Sequence, residues 1–353
     1  MTRILAVRLD GIGDVLLCGP AVRALAHGAD QVDLLTSPAA RGAAALLPGV
    51  TRVHTFSAAW CDPRTTSFDR DDVADLIRRL SRESYDAAVI FTSFHQSPLP
   101  TAMVCRMAGI PHVVGTSDDY PGALLDVRHR RLAVGDDGGT HGGGHEVEAG
   151  LRLAEAAGYA LPPQDDGRLR LTPATHETSA SAEPYVVVHP GASVPARAIP
   201  DALADRLPVA LGRSGWDVVV TGGLSDRAPA HDVGAVSYRN LIGATTISQL
   251  AEVLRRASAV VVGNTGAAHL AAAVGTPVVS LFSPVVPVER WRPWGVPTVV
   301  LGDQSAPCAG SRARTCPVPG HPCLTSVSVE DVVQAVATLA GSPASEAGVR
   351  CAC

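Results

Sequence analysis

Four glycine-rich turns carry the residues best suited to chemistry. The first is Asp10-Gly11-Ile12-Gly13-Asp14, which follows an apolar run and leads into Val15-Leu16-Leu17. Gly11 and Gly13 allow a tight turn, and two readings of Asp14 stand side by side. It is a helix N-cap, a common role for aspartate, or a carboxylate base held at a helix start facing a cleft. A dinucleotide fingerprint needs Gly-x-Gly-x-x-Gly. Leu16 stands where the third glycine would be, and Asp10 and Asp14 would repel a bound anion. The turn therefore argues against a nicotinamide dehydrogenase.

The second turn is His189-Pro190-Gly191-Ala192-Ser193, with Arg197 shortly after it. Ser193 is suited to capping a helix or binding an oxyanion. Arg197 is either a solvated surface charge or a phosphate ligand. The third is Thr221-Gly222-Gly223, a strand end able to meet the base or ribose of a nucleotide. The fourth is Gly263-Asn264-Thr265-Gly266-Ala267, after the apolar Val261-Val262. Backbone N–H groups at a helix start, with the Thr265 hydroxyl beside them, form a site for a diphosphate. His269 lies one turn further in and faces either that ligand or the core.

Alternating apolar runs and amphipathic segments must hold these turns. Residues 3–9, 31–35 and 87–91 read as strands; 15–26, 38–47, 69–82, 99–108 and 145–157 read as helices. The polar, proline-bounded stretch 171–184 breaks the pattern, which then resumes. Strands are expected at 185–189, 217–221, 259–262 and 278–282. Helices are expected at 201–214, 226–236, 248–256, 267–274 and 329–340. The fold class is α/β: two Rossmann-like, doubly wound domains facing across a cleft. The boundaries are 1–172, a linker at 173–184, 185–341, and a frayed tail at 342–353.

Composition excludes further chemistry. Of 353 residues, all 29 basic side chains are arginine, and asparagine occurs only at Asn240 and Asn264. A lysine nucleophile or Schiff base is thus ruled out, and any phosphate-binding side-chain cation apart from histidine must be a planar guanidinium. A net charge of −5 argues against coating a nucleic acid. No apolar run reaches the length of a membrane span, and the start does not read as a signal peptide. These features predict a cytoplasmic chain, at most peripheral to the inner membrane face. Cys308, Cys316, Cys323 and His321 gather in a proline-rich loop and allow a zinc reading. Their spacing lacks a Cys-x-x-Cys pair, so a structural loop with buried thiols and no metal is expected. The glycine stretch 138–145 reads as a flexible loop. Residues 128–131 (RHRR) read as a solvated basic strip or as a grip on an anionic acceptor.

Taken together, the motifs resemble glycosyltransferase family 9, the heptosyltransferases. The turn from Asp10 with Pro20 and Ala21, His189-Pro190-Gly191, Thr221-Gly222-Gly223, and the segments 241–250 and 264–284 match its blocks in order. The resemblance runs from Arg3 to about residue 340. It implies a GT-B architecture, with the acceptor on the N-terminal domain and a nucleotide-diphosphate sugar, usually ADP-heptose, on the C-terminal one. It implies inverting transfer without a metal or other cofactor. Asp14 takes the position of the family's general base. Arg197, Ser193, Asn264, Thr265, Gly266, Ala267, His269, Gly222, Gly223 and Arg8 take donor positions. Trp60, Arg64 and Arg70 fall where acceptor recognition is expected. The acceptor is then a glycan, a lipid-linked sugar or a secondary metabolite.

Three departures bear on donor identity. Arg197 stands where many members carry lysine, Ile199 where tryptophan is frequent, and Asn264 where many carry aspartate. Transfer of a different sugar, nucleotide-sugar epimerisation, or non-catalytic binding of a nucleotide sugar are the alternatives.

Overall fold

A computed structural model describes residues 1–61, 65, 67–131, 144–173, 184–229 and 237–341. The chain forms two compact units. One is Met1–Thr175 with Glu289–Gly295; the other is His176–Val288 with Val296–Cys353. A short piece of late sequence is thus built into the first unit.

Each unit is organised around a six-stranded parallel sheet. In the first, β1 (Arg3–Arg8), β2 (Gln31–Thr36), β3 (Arg52–Thr55), β4 (Ala87–Ile90), β5 (His112–Thr116) and β6 (Val127–His129) lie in the order β3-β2-β1-β4-β5-β6. In the second, β7 (Tyr185–His189), β8 (Asp217–Gly222), β9 (Arg239–Ile242), β10 (Ala259–Gly263), β11 (Val278–Leu281) and β12 (Thr298–Leu301) lie in the order β12-β11-β10-β7-β8-β9. Counted from its own first strand, the second unit repeats the order of the first. This is the doubly wound α/β class that the sequence predicts.

The order reverses between β1 and β4, and again between β7 and β10. At such a switch point the loops after the two central strands part and leave room for a ligand. The turn holding Asp14 follows β1. The loops holding Arg197 and Thr265 follow β7 and β10. Topology therefore singles out the same turns as their chemistry does.

Central strands are covered on both faces, so they are apolar throughout. Val186–Val188 and Val260–Val262 are wholly buried. The strand pattern misses β3, β5, β6, β9 and β12. Of these, β3, β6, β9 and β12 are sheet edges, where pairing on one side tolerates short, polar segments such as Arg52–Thr55.

Three expected helices change. Residues 15–26 split at Cys18 into Ile12–Leu17 and Gly19–Gly28. Pro20, which lacks an N–H, sits in the first turn of the second piece, where that lack costs nothing. Residues 38–47 yield only a 3-10 turn, Pro38–Ala40, and Arg41–Ala44. Asp226 to Pro229 are not helical, and 230–236 lie outside the described residues. Most of the linker 173–184, most of the glycine loop 138–145 and the tail 342–353 also lie outside them. Other helices start where side chains satisfy the first N–H groups. The Asp69 carboxylate accepts from Asp71 at 2.7 Å and opens Arg70–Ser81. Capping boxes at Thr246 and Ser328 open Ile247–Arg255 and Val329–Ala340. Among the described residues, no helix is long and apolar enough to cross a membrane.

Candidate active site

In the first unit Gly11 occupies the cap of helix Ile12–Leu17, so the cap reading of Asp14 is corrected. Asp14 stands in the first turn, and its Oδ1 accepts from Arg8 Nη2 at 3.0 Å and from Trp291 Nε1 at 3.2 Å. Arg8 is buried at the end of β1. Its Nε lies 2.7 Å from Asp10 Oδ2, and its Nη2 donates to Ser93 Oγ at 2.7 Å. Burial works against the Arg8 charge, but Asp10, Asp14 and Glu146 outweigh it and hold the guanidinium protonated. Asp10 is pushed up to about 6, because burial outweighs its contact with Arg8. Gln96, on the loop after β4, donates to the other Asp10 oxygen.

Behind this group lies Glu146, in the first turn of helix Glu146–Ala156 and almost wholly buried. Its carboxylate lies 3.3 Å from Arg290 Nη1, 3.5 Å from Arg131 Nη1 and 3.8 Å from Arg8 Nη1. Arg290 belongs to the inserted segment Glu289–Gly295, which is fastened at several points. The Arg290 guanidinium lies 4.5 Å from the Phe94 ring centroid. Phe94 also packs on Trp291 at 5.8 Å. His145 Nδ1 accepts from Val147, so its Nε2 donates to Arg292 O at 2.9 Å. Trp294 Nε1 donates to Gly167 O at 3.0 Å.

A cavity of about 260 Å³ opens at the C-terminal ends of β4 and β5. Thr92, Phe94, His95, Gln96, Asp119 and Arg131 are among its lining residues. It thus shares Phe94 and Gln96 with the surroundings of Trp291 and Asp10.

In the second unit, Arg197 ends the 3-10 turn Pro195–Arg197 after β7. Its carbonyl oxygen lies so close to Gly263 that a Cβ there would collide with it. The glycine thereby lets the Arg197 loop reach the end of β10. Thr265 caps helix Gly266–Ala273 by position, without a side-chain cap bond. Its hydroxyl is buried without a hydrogen-bond partner among the described residues. Residues Ala267 to Ala273 are all buried, so His269 faces the interior. Ser193 is exposed, and Ile199 is buried in the core of this unit.

Gly222 and Gly223 have a second role. The Asp226 carboxylate accepts from the Gly223 N–H at 2.7 Å. A Cβ on Gly191 would overlap that carboxylate, and one on Gly222 would lie 2.8 Å from it. Two sequence-predicted turns thus make room for an acid that the sequence reading did not single out. His189 shares a hydrogen bond with Thr221 at 2.9 Å, and burial pushes its imidazole down to about 4.

Asn264 is nearly buried and pairs with one peptide. Its Nδ2 donates to Ser283 O and its Oδ1 accepts from Ser283 N, each at 3.4 Å. An aspartate would set a lone pair against the Ser283 carbonyl. Asn264→Asp is therefore expected to cost roughly 1–2 kcal/mol, read as a lower midpoint in thermal or chemical denaturation. An unchanged or raised midpoint would show that the amide pairing does not hold this loop.

Trp60 Nε1 donates to Thr101 Oγ1 at 2.9 Å, and its ring packs on Phe56 at 5.5 Å. Arg70 is exposed and 3.5 Å from Asp71. Arg64 lies outside the described residues. The stretch 128–131 is not a solvated strip. Arg128 donates to Ser117 O at 2.9 Å, His129 pairs with Thr116, and Arg131 donates to Thr92 O at 2.7 Å. Only Arg130 of the four is exposed. Cys308 and Cys323 are buried in the core of the second unit, and Cys316 Sγ donates to Val318 O at 3.3 Å. Among the described residues, no three His, Cys, Asp or Glu are grouped to hold a metal ion.

Ser93, Gln96, Glu146, Arg290 and Trp291 escaped sequence reading. Arg290 and Trp291 meet partners 144 and 277 residues away, and no local pattern announces such pairs.

Comparisons with known proteins agree with this fold. The family model for glycosyltransferase family 9 (heptosyltransferase) matches residues 73–321. Lipopolysaccharide heptosyltransferase 1 of Pseudomonas aeruginosa is 28% identical over 322 residues, covering 89% of this chain and 87% of the relative. Among solved structures, the ADP-heptose lipopolysaccharide heptosyltransferase II of Escherichia coli superposes with a TM-score of 0.71 at 20% identity, over 96% of this chain and 98% of that one. The E. coli heptosyltransferase WaaC with ADP-2-deoxy-2-fluoro heptose gives 0.64 at 20% identity, over 94% and 98%. With the family model spanning most of the chain and both sheets in the doubly wound order, this protein belongs to glycosyltransferase family 9, the heptosyltransferases.

Proposed function

We propose that the protein moves a sugar, heptose first among the candidates, from a nucleoside-diphosphate donor to an acceptor hydroxyl with inversion and without a metal. The observation that carries this reading is the Asp14 carboxylate. It stands at the β1 switch point, partly open to solvent (26% exposed), with one oxygen held by Arg8 and Trp291.

The chemistry follows from that placement. The acceptor oxygen attacks the anomeric carbon as its proton passes to Asp14. The bond from that carbon to the diphosphate oxygen breaks, and the nucleoside diphosphate leaves with the electron pair. The second unit binds the donor. Arg197, the N–H groups at Gly266 and Ala267 and the buried Thr265 hydroxyl meet the charge that grows on the leaving group. Gly222 and Gly223 lie on the nucleoside side of that site. The first unit binds the acceptor, with the cavity beside Phe94 and Gln96 as its seat.

ADP-heptose is the first donor to test, because a structural neighbour is described with an ADP-heptose analogue. The experiment is a panel of ADP-, GDP- and UDP-sugars, scored for binding and for release of the nucleoside diphosphate with EDTA present. Saturable binding and chelator-resistant release from one donor class are expected. No binding across the panel would defeat the reading, and release abolished by EDTA would defeat its metal-free part.

A further inference from the structure

Trp291 is 277 residues from Asp14 in the sequence, yet its indole N–H meets the same oxygen that Arg8 holds. We infer that Trp291 is a positioning residue for transfer, orienting the Asp14 carboxylate and stabilising its charged form. The inference rests on the reading of Asp14 as base.

The indole is itself well placed to do this. Arg290, before it, is clamped by Glu146 and by the Phe94 ring. The Arg292 carbonyl, after it, accepts from His145. Trp294 is bonded to Gly167, and its ring lies 4.5 Å from that of His145. The N–H is therefore presented by a segment anchored on both sides, at little cost in side-chain freedom. Two donors from different elements hold that oxygen in place more firmly than one. A base must lie within hydrogen-bond reach of the proton it takes, so orientation and proton affinity both matter.

The charged and titratable groups around Asp14 come from several elements. Arg8 and Asp10 come from β1 and its turn, Cys18 from the end of the Asp14 helix, and Glu146 from helix Glu146–Ala156. Burial pushes the Cys18 thiol up to about 12, so it stays neutral across the working range. Asp10 titrates near Asp14, so the acidic limb belongs to the group as a whole. Loss of an N–H donor from the carboxylate raises its proton affinity and moves that limb to higher pH.

The test is Trp291→Phe, which keeps a ring against Phe94 and removes the N–H. A fall in kcat of about ten-fold is expected. The acidic limb of kcat/KM should move up by about half to one pH unit, with donor KM unchanged. Should Trp291→Phe fold poorly, benzothienylalanine at position 291 replaces the N–H by sulfur in a ring of the same shape, and the same shift is expected. An unmoved limb with wild-type kcat in a folded variant overturns the inference. So does a fall in activity without movement of the limb, which marks packing alone. Asp14→Asn run beside it separates the two readings. Turnover retained by Asp14→Asn defeats the base assignment itself; an inactive Asp14→Asn with a silent Trp291→Phe defeats only the positioning role.

Discussion

Asp14→Asn is expected to lower turnover by about 10²–10⁴-fold while the protein stays folded and binds its donor with unchanged Kd. Asparagine has the size of aspartate, and its Oδ1 can still accept from Arg8 Nη2 and Trp291 Nε1, which lie at 3.0 and 3.2 Å. Arg8 also keeps Asp10 and Glu146, so the buried guanidinium retains compensating charge. The lost property is the ability to take a proton. Donor binding is proposed for the loops of the second unit, so donor affinity and proton transfer rest on different residues. Steady-state transfer, titration calorimetry with the nucleoside diphosphate and a thermal melt read the three quantities separately. Turnover within ten-fold of the unaltered protein would remove Asp14 from the mechanism.

Glu146→Ala is expected to cost about 3–5 kcal/mol of stability. Glu146 is 2% exposed at its side chain and stands among Arg8, Arg131 and Arg290. With Asp10 and Asp14 it balances those three guanidiniums; without it the buried group carries an excess positive charge. Burial already works against the Arg131 charge, Glu146 supports it, and Arg290 and Arg8 oppose it. Arg290 belongs to the inserted segment, so the same change should loosen Trp291 and depress turnover as well. Denaturant unfolding gives the free energy, and transfer assays give the second effect. A loss under about 1 kcal/mol, the range of an exposed ion pair, would show that the cluster does not hold the segment. Glu146→Gln, which keeps the shape and loses the charge, is expected to fall between.

Much of the architecture is legible along the chain. Valine runs such as Val186–Val188 and Val260–Val262 read as strands covered on both faces, and glycines at their ends mark turns toward a switch point. Asp14, Arg197 and Thr265 become candidates this way because a strand end and the helix after it are neighbours in sequence. The edge strands are less legible, since one-sided pairing leaves Arg52–Thr55 and Arg239–Ile242 without an apolar signature. Residues 226–229 show the opposite failure. Their spacing suggests a helix, but the Asp226 carboxylate is drawn into the space left by Gly191 and Gly222.

The lack of lysine fixes that every strong side-chain cation in either unit is a guanidinium, and the order of turns places the protein in its family. What each polar side chain does was decided by packing. Asn264, by sequence a departure bearing on the donor, spends its amide on the Ser283 peptide. Arg8, by sequence a donor residue, is enclosed by carboxylates of the first unit. Arg290 and Trp291 acquire roles only because a segment of the late sequence is folded into the first unit. Backbone preference acts over a few residues, so it can be read from local sequence. Hydrogen bonds and ion pairs in low dielectric depend on which groups are buried together, and the tertiary fold alone sets that.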